Sequence, residues 1–265
     1  MSDVDFIVLD IDGGPMLEAC LASIARQTVS PHRVIVLDNG GSNRRLAADS
    51  RQPESYLALR SEANLGFAGG VNFAFTHVTA PFVALINNDV VLDDDWLETV
   101  LAAMRDEKVA GVQTVIRRDA TTIDGAGVDV SDGTYRQTLD PSRAWGISAT
   151  AALYRVAALG KRVFEPRFFA YYEDVELSAR LHEQGWRTEV LRVIKASHRG
   201  SQSASVLGND AIRLRTRNRY WVARLHRGTG SIGALFREDV KLLLQGRSSI
   251  RGIIQGLFGR MKDEG

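Results

Sequence analysis

The chain has 265 residues, of which 45% are hydrophobic and 25% charged, and its formal net charge is +1. These values are typical of a globular protein with a substantial core. Cys20 is the only cysteine, which excludes an intrachain disulfide and a cysteine-rich metal site. No stretch approaches the ~18 apolar residues of a membrane-spanning helix. The opening residues, MSDVDFIVLD, lack the basic start and long apolar stretch of a secretion signal.

The charge is unevenly distributed along the chain. Residues 211–262 hold 12 Lys or Arg and only two acids, Glu238 and Asp239, whereas residues 1–210 hold 21 basic and 28 acidic residues. This break in composition predicts a main domain over residues 1–210 and a basic helical extension over residues 211–265.

Strand and helix patterns alternate through the first 107 residues. Short apolar, β-branched runs at 5–11, 33–38, 55–60 and 81–87 are typical of buried strands. Apolar residues at helical spacing predict helices over 15–27, 69–78 and 94–107. The alternation indicates βαβ units with parallel strands. In such sheets ligands bind at the carboxyl ends of the strands, and Asp10, Asp38 and Asp89 all lie at or just after predicted strand ends.

The second half of the chain is less regular. Residues 111–145 contain short β-like pieces with Gly and Asp turns, residues 147–159 indicate a strand leading into a helix, and residues 188–194 indicate another strand. Helical patches follow at 217–225, 233–245 and 249–261. The pattern as a whole predicts an α/β fold.

Two adjacent acids follow a run of aromatic residues in FFAYYEDVELSARLHEQGW, residues 168–186. Glu173 and Asp174 lie between this aromatic segment and a predicted helix, at the start of the helix. One interpretation is helix capping, because acids favour the first turn of a helix. The other is a catalytic carboxylate, whose pKa would be raised toward the working pH by partial desolvation and by its acidic neighbour.

A D-x-D-G motif follows the first predicted strand in FIVLDIDGG, residues 6–14. It resembles the phosphatases of the haloacid dehalogenase superfamily, in which Asp10 would be the nucleophile and Asp12 the acid. That superfamily also needs a downstream Lys and an acidic pair beside an apolar strand. No such strand with a suitable Lys precedes Glu173 and Asp174. The phosphatase stays an alternative.

Two further segments carry residues suited to binding a ligand. Glycines in ANLGFAGGVNFAF, residues 63–75, allow a backbone to approach a ligand closely, although an ordinary turn before a helix is the simpler interpretation. In LINNDVVLDDDWL, residues 85–97, a strand ends in Asn87, Asn88 and Asp89. Oxygen ligands there suit Mg²⁺ or Mn²⁺ bridging a diphosphate, and a capped turn is the alternative. His198 lies just after the last predicted strand. It is interpreted either as a metal ligand or as an ordinary surface or core histidine.

The order of the segments carries more information than any one of them. It runs VIVLDNGGSN, NLGFAGGVN, LINNDVVLDDDWL, ISATAALYR, FFAYYEDVELSARLHEQGW, and then His198, Gly200 and Ser201. In this order they resemble the family 2 glycosyltransferases with the GT-A fold, and most of all the bacterial branch of rhamnosyltransferases and related cell-envelope enzymes. The resemblance covers residues 5–203 and tapers through RNRYW, residues 217–221.

The resemblance implies a GT-A fold, a Rossmann-like mixed sheet flanked by helices, as the nucleotide-sugar-binding catalytic domain over residues 1–210. It implies an inverting, metal-dependent glycosyltransferase. The donor would be a UDP- or dTDP-sugar, with rhamnose as one candidate sugar. The acceptor would be a hydroxyl of a saccharide or lipid-linked molecule in cell-envelope polysaccharide synthesis. A non-catalytic nucleotide-sugar binder is a second alternative.

The resemblance also assigns roles to individual residues. Asp174 would be the general base, and Glu173 would orient the acceptor or the base. A Mg²⁺ or Mn²⁺ ion would be held by Asp89, with His198 completing its protein ligands. Contacts to the nucleotide-sugar would come from Asp38, Asn39, Asn64, Gly66, Gly69, Asn72 and Asn87.

Three departures from the family pattern leave the substrates open. The first strand ends in LDIDGG rather than a Thr-Tyr-Asn-like turn, Asn87 occupies the first position of the metal motif, and GKRVFEPRF replaces the usual G-G-F-D-E. The first departure leaves the nucleotide base undecided, and the last leaves the acceptor undecided.

The basic extension suits three kinds of partner: anionic lipid head groups, nucleic acid, or the acidic body of the same chain. Basic amphipathic helices with aromatic residues often lie on membranes. The sequence contains no motif for nucleic-acid recognition, so we expect no nucleic-acid partner. We expect a cytoplasmic protein, with peripheral contact at the inner face of the plasma membrane as one role of the extension.

Overall fold

The computed structural model describes residues 2–11, 14–40, 56–198 and 207–260. Its strands are β1 (Val4–Asp10), β2 (Arg33–Asn39), β3 (Tyr56–Ser61), β4 (Phe82–Asn87), β5 (Val90–Leu92), β6 (Val109–Arg117), β7 (Ile123–Gly125), β8 (Val128–Asp129), β9 (Arg136–Gln137), β10 (Ala151–Arg155) and β11 (Arg187–His198). Its helices are α1 (Pro15–Ala25), α2 (Gly66–Phe75), α3 (Trp96–Ala103), α4 (Val156–Leu159), α5 (Glu173–Glu183), α6 (Asn209–Leu225), α7 (Ile232–Leu243) and α8 (Ile250–Phe258).

A mixed sheet forms the centre of the molecule. Within the described ranges its strand order is β3-β2-β1-β4-β10-β6-β11-β5, with β7 added beside β6. The four strands from β3 to β4 are parallel, as the βαβ pattern predicted. β10 is antiparallel to both of its neighbours, and β6 is parallel to β11. The predicted α/β fold with a mixed sheet flanked by helices is therefore confirmed.

Both faces of the sheet are buried, which explains why its strands are continuous apolar runs. β1 sends Phe6 and Val8 into one core cluster and Ile7 into the other. The first cluster includes Ile24 of α1 and the second includes Val71 of α2. Helices therefore cover the sheet on both sides.

Strands β6 and β11 are longer than the sequence pattern indicated. β6 runs through a region for which the sequence predicts only short strand pieces. The sequence does not indicate one long strand there because the polar residues Gln113 and Thr114, which are buried in the structure, interrupt the apolar pattern. β11 continues four residues past the predicted end at 194, and its last residues pair with the short strand β5. That continuation carries His198 to the edge of the sheet.

The basic extension packs onto the body through a third apolar cluster. Val128, Phe168 and Val175 from the body meet Tyr220 and Trp221 of α6 in this cluster. The last two helices also reach it, through Leu235 and Ile253. Across the described parts of the chain, every helix is too short or too polar to cross a membrane.

Candidate functional site

Polar side chains meet where the first parallel strands end. Asp10 is paired with Asp38 on the neighbouring strand, and both are almost fully buried. On the other side of β1, Leu9 is paired with Asn87. The Asn88 amide donates to Asp10 Oδ1 over 2.8 Å, and Arg60 Nε lies 3.7 Å from Asp38 Oδ2. The carboxyl ends of β1, β2 and β4 thus form one polar edge, which is where ligands bind in such sheets.

The turn before α2 is held by Asn39. The buried Asn39 amide donates to the Gly66 carbonyl over 2.9 Å and accepts from the Leu65 N–H over 3.0 Å. Asn64 Oδ1 accepts from the Gly66 N–H over 2.8 Å. Gly66 has φ +69°, and a Cβ there would lie 2.5 Å from the Phe169 carbonyl oxygen. The glycine turn therefore lies directly against the aromatic segment that precedes Glu173.

Asn72 and Gly69, two other predicted donor contacts, lie on α2. Asn72 Oδ1 accepts from the N–H groups of Val163 and Phe164 over 2.9 and 3.0 Å, and its amide nitrogen donates to the Phe164 carbonyl over 2.8 Å. At Gly69 an added Cβ would lie 3.1 Å from the Leu65 Cβ. The amides of Asn39 and Asn72 thus shape the loops around the polar edge.

His198 lies between two carboxylates. The pairing of β11 with β5 sets His198 opposite Val90, next to Asp89. Its Nε2 lies 3.1 Å from Asp89 Oδ2, and its Nδ1 lies 2.8 Å from Asp124 Oδ2. Burial alone would lower the pKa of His198, but the hydrogen bonds to both carboxylates outweigh it and raise the pKa to about 9. Asp124 was not singled out from the sequence, because it lies in the irregular region after β6.

The residues around Asp89 fit a divalent cation. Within the described residues, Asp89 Oδ1 and Asn87 Oδ1 are buried without a hydrogen-bond partner, and Mg²⁺ and Mn²⁺ prefer oxygen ligands. Asp89 Oδ2 and His198 Nε2 lie 3.1 Å apart, so both side chains would be within reach of a cation bound at Asp89. His198 must lose a proton before it can be a ligand.

In the described part of the chain, no three His, Cys, Asp or Glu side chains form a group that could hold a metal ion. A cation at Asp89 would therefore depend on oxygen atoms supplied by the substrate, as is usual for Mg²⁺ beside phosphates.

The acid pair begins helix α5 after a strained backbone segment. Phe169, Tyr171 and Tyr172 have φ of 62°, 71° and 69°, in the left-handed region that L-residues other than Asn and Asp seldom adopt. Such strain often accompanies functional sites. Glu173 is buried and Asp174 is half-buried. The strained turn thus buries one acid and leaves the other partly exposed.

The two acids differ in their surroundings. Asp174 Oδ1 accepts from the Val175 N–H over 2.8 Å and Oδ2 accepts from the Ala149 N–H over 3.4 Å. Burial raises the pKa of Asp174 despite these hydrogen bonds. Burial and the charge of Asp174 raise the pKa of Glu173 well above its ordinary value. The surroundings therefore disfavour charge on Glu173 more strongly than on Asp174.

Two consecutive residues connect Asp174 to the polar edge. The Ala149 N–H donates to Asp174, and the Thr150 carbonyl accepts from the Asn87 N–H over 3.0 Å. Thr150 directly precedes β10, which pairs with β4. The acid pair and the strand ends therefore lie at the same end of the sheet.

Helix α6 holds the strained aromatic segment in place. The buried Asn218 amide nitrogen lies within hydrogen-bond distance of three carbonyl oxygens, at 2.9 Å from Phe168, 2.9 Å from Ala170 and 2.7 Å from Tyr171. Arg217 donates to Asn218 Oδ1 over 2.8 Å. We did not predict a role for either residue, although RNRYW, where the family resemblance tapers, contains both.

Comparisons with known proteins agree on one family and one fold. The model of the family described as glycosyl transferase family 2 matches residues 12–163. An N-acetylglucosaminyl-diphospho-decaprenol L-rhamnosyltransferase of Mycobacterium tuberculosis, matched in strains CDC 1551 / Oshkosh and H37Rv, is 26% identical over 241 residues, covering 77% of this chain and 78% of the relative.

Solved structures show the same fold. The mannosyltransferase PcManGT from Pyrobaculum calidifontis, in complex with GDP-Man and Mn²⁺, has a TM-score of 0.63 at 16% identity, covering 94% of this chain and 77% of that one. S. aureus TarS 1-349 has a TM-score of 0.59 at 18% identity, covering 97% of this chain and 82% of that one.

These findings give no support to the phosphatase alternative. Asp10 is buried and accepts a hydrogen bond from Asn88, and Asp12 lies outside the described residues. The family match covers more than half of the chain, so the protein is an enzyme that belongs to glycosyl transferase family 2.

Proposed function

We propose that this enzyme is an inverting, metal-dependent glycosyltransferase that uses Asp174 as its general base. The observation that carries the proposal is the connection through Ala149 and Thr150, which sets Asp174 beside the polar edge where a nucleotide-sugar would bind. Asp174 is half-buried, so an acceptor hydroxyl can reach it. Its pKa is raised by burial, which makes it a stronger base than an exposed carboxylate.

In the proposed reaction the acceptor hydroxyl gives its proton to the Asp174 carboxylate. The acceptor oxygen then bonds to the anomeric carbon of the donor, and the bond from that carbon to the diphosphate oxygen breaks, leaving its electron pair on the diphosphate. No covalent enzyme intermediate forms. Burial and the charge of Asp174 favour the neutral form of Glu173, which would orient the acceptor or Asp174.

Asp89 would hold the divalent cation, with Asn87 and His198 beside it. When bound, Mg²⁺ or Mn²⁺ supplies charge neutralisation for the departing diphosphate. The buried, unpartnered oxygens of Asp89 and Asn87 within the described residues support this assignment. The Mn²⁺ in the structurally similar mannosyltransferase agrees with it.

The donor would be a UDP- or dTDP-sugar, bound between Asp38 on β2 and the turn at Asn64 and Gly66. Asn39 and Asn72 shape the walls of this space through the hydrogen bonds described above. The name of the Mycobacterium tuberculosis relative supports rhamnose as the sugar and a lipid-linked saccharide as the acceptor. That chemistry belongs to the synthesis of cell-envelope polysaccharide.

A thermal-shift panel of nucleotide-sugars with and without Mn²⁺ tests the donor. A donor at 100 times its Kd stabilises a protein by about 2.7 kcal/mol. We expect one nucleotide series to raise Tm selectively, and more strongly with Mn²⁺. A panel without any selective shift would contradict donor binding.

Asp174→Asn tests the base. We expect it to lower the transfer rate by about 100- to 10,000-fold, because a general base contributes that much, while the donor-dependent shift in Tm is kept. Glu173→Gln should lose less activity, because the surroundings of Glu173 already favour its neutral form, and Asp94→Asn at the surface should change nothing. Donor binding without any transfer in the wild type would favour a non-catalytic binder, and full activity in Asp174→Asn would refute the assignment.

A further inference from the structure

The last two helices expose large apolar side chains in two rows. Seven of the thirteen large apolar residues that are exposed in the described chain fall between residues 232 and 258. They lie four residues apart on each helix, so each row follows one helix face. We call the set the C-terminal apolar face; it consists of Ile232, Phe236, Val240 and Leu244 on and just after α7, and Ile250, Ile254 and Phe258 on α8.

The two helices pack on the body through other faces. α8 lies on α6 through Gly252 and Gly256, where an added Cβ would come within 2.8 Å of Thr216 and Tyr220. α7 packs through Leu235 and Asp239, both fully buried. The C-terminal apolar face is therefore not part of the core of the described structure, although its residues are as apolar as core residues.

The acids of this region point inward. Asp239 accepts hydrogen bonds from the Tyr220 hydroxyl over 2.6 Å and from the Arg219 guanidinium. Glu238 accepts from Arg219 over 2.8 Å and from Arg136 over 3.1 Å. Both carboxylates of α7 are thus paired with side chains of α6, and Glu238 also with Arg136 of the body.

The bases of the same helices point outward. Five of them are exposed between residues 232 and 260, namely Arg237, Lys241, Arg247, Arg251 and Arg260. Since Glu238 and Asp239 are paired inward, the exposed charged side chains within residues 232–260 are all basic and lie among the apolar rows. Apolar side chains flanked by Lys and Arg are the arrangement with which amphipathic helices bind anionic membrane surfaces.

We propose that the C-terminal apolar face docks on an anionic lipid surface. The apolar rows enter the boundary between head groups and acyl chains, and the five bases contact lipid phosphates. A second copy of the chain fits less well, because a two-fold interface would place the same bases opposite each other. Lipid binding does not depend on the proposed reaction, since it is measured without donor or acceptor.

The test is co-sedimentation of the full chain with vesicles of phosphatidylcholine, alone or mixed with phosphatidylglycerol. We expect binding to the mixed vesicles, weaker binding in high salt because ions screen the attraction, and little binding to phosphatidylcholine alone. Each base that leaves the interface should lower the partition coefficient about fivefold. Failure of the wild-type chain to bind the mixed vesicles would overturn the proposal.

Variants separate the two contributions. Ile254→Ser with Phe258→Ser removes exposed apolar area, and Arg247→Gln with Arg251→Gln removes exposed charge, so each should weaken vesicle binding at an unchanged Tm. Matched controls lie elsewhere on the surface: Leu139→Ser, at a side chain 58% exposed, and Arg105→Gln should bind as the wild type does. Equal binding by all four variants would refute the proposal. The proposal would also be refuted if the Ile254→Ser, Phe258→Ser variant bound vesicles as the wild type does and light scattering showed that the substitutions had converted a dimer into a monomer.

Discussion

Asn218 connects the extension to the backbone that precedes the acid pair. Phe169, Tyr171 and Tyr172 adopt left-handed conformations that cost on the order of 1–3 kcal/mol each. The Asn218 side chain lies against the carbonyl oxygens of Phe168, Ala170 and Tyr171 and stabilises that conformation. One amide on α6 therefore helps to set the position of Glu173 and Asp174.

We expect Asn218→Ala to lower the free energy of unfolding by about 2–4 kcal/mol, because it leaves buried carbonyl groups without a donor. The transfer rate should fall as well, since the segment before Asp174 loses its support. Urea unfolding and steady-state kinetics measure the two effects. Ile212→Ala, on the outer side of the same helix, is the control. An Asn218→Ala protein that is less stable but fully active would show that the segment keeps its shape without this amide.

At the scale of elements, α8 depends on glycines to approach α6. A Cβ at Gly256 would lie 2.8 Å from the Tyr220 Cβ and 2.9 Å from the Arg217 carbonyl oxygen. Gly233, in the first turn of α7, has open space around it, with its nearest contact at 3.7 Å. The two positions therefore respond in opposite ways to one added methyl group.

Gly256→Ala should destabilise the protein by about 1–3 kcal/mol, because the helices must move apart to admit the methyl group. Gly233→Ala should stabilise it by about 0.5–1 kcal/mol, since alanine loses less backbone entropy than glycine in a helix. Thermal unfolding of both variants beside the wild type measures the difference. A Gly256→Ala variant with an unchanged Tm would mean that α8 is not packed closely on α6.

Elements that bury continuous apolar runs could be predicted from the sequence, and those with buried polar residues could not. β1, β2 and β4 follow their apolar runs closely. β6 was missed because its buried residues include the polar Gln113 and Thr114. Gln113 Oε1 accepts from the N–H of Ser148, distant in sequence, over 2.7 Å, a contact that the local pattern does not reveal.

At the candidate site, too, residues that act through contacts between distant parts of the sequence were difficult to predict. The sequence predicted that Asp89 and His198 belong together, and the structure places them 3.1 Å apart. It did not predict Asp124 or Asn218, because each acts through the folded backbone. The catalytic and binding roles of the predicted residues stay predictions.

At the scale of the whole molecule, His226 joins the end of α6 to α5. Its Nδ1 lies 2.8 Å from Glu183 Oε2 and its Nε2 lies 3.2 Å from Glu176 Oε1. Burial alone would lower the pKa of His226, but the hydrogen bonds to these carboxylates outweigh it and raise the pKa above 6.5. His226 thus ties the extension to the helix that begins with the acid pair, and its two carboxylate partners favour its protonated form.

The raised pKa has a definite consequence for stability. A histidine whose pKa is higher in the folded state stabilises the fold fully below its unfolded pKa of about 6.5 and loses that contribution as pH rises through the folded value. We expect the Tm difference between wild type and His226→Gln to be largest in mild acid and to shrink as pH rises. A difference that is constant with pH would contradict the protonated pair.

Asn218 follows every strand of the described sheet in the sequence, which has a consequence for biosynthesis. Translation completes the sheet strands β1–β11 before residue 218 is made, and N-terminal regions generally fold first. The nascent protein can therefore assemble its nucleotide-binding edge while the turn before Asp174 still lacks its amide support. A chain whose synthesis stops between residues 198 and 218 would hold its strands but not the shape of its acidic turn.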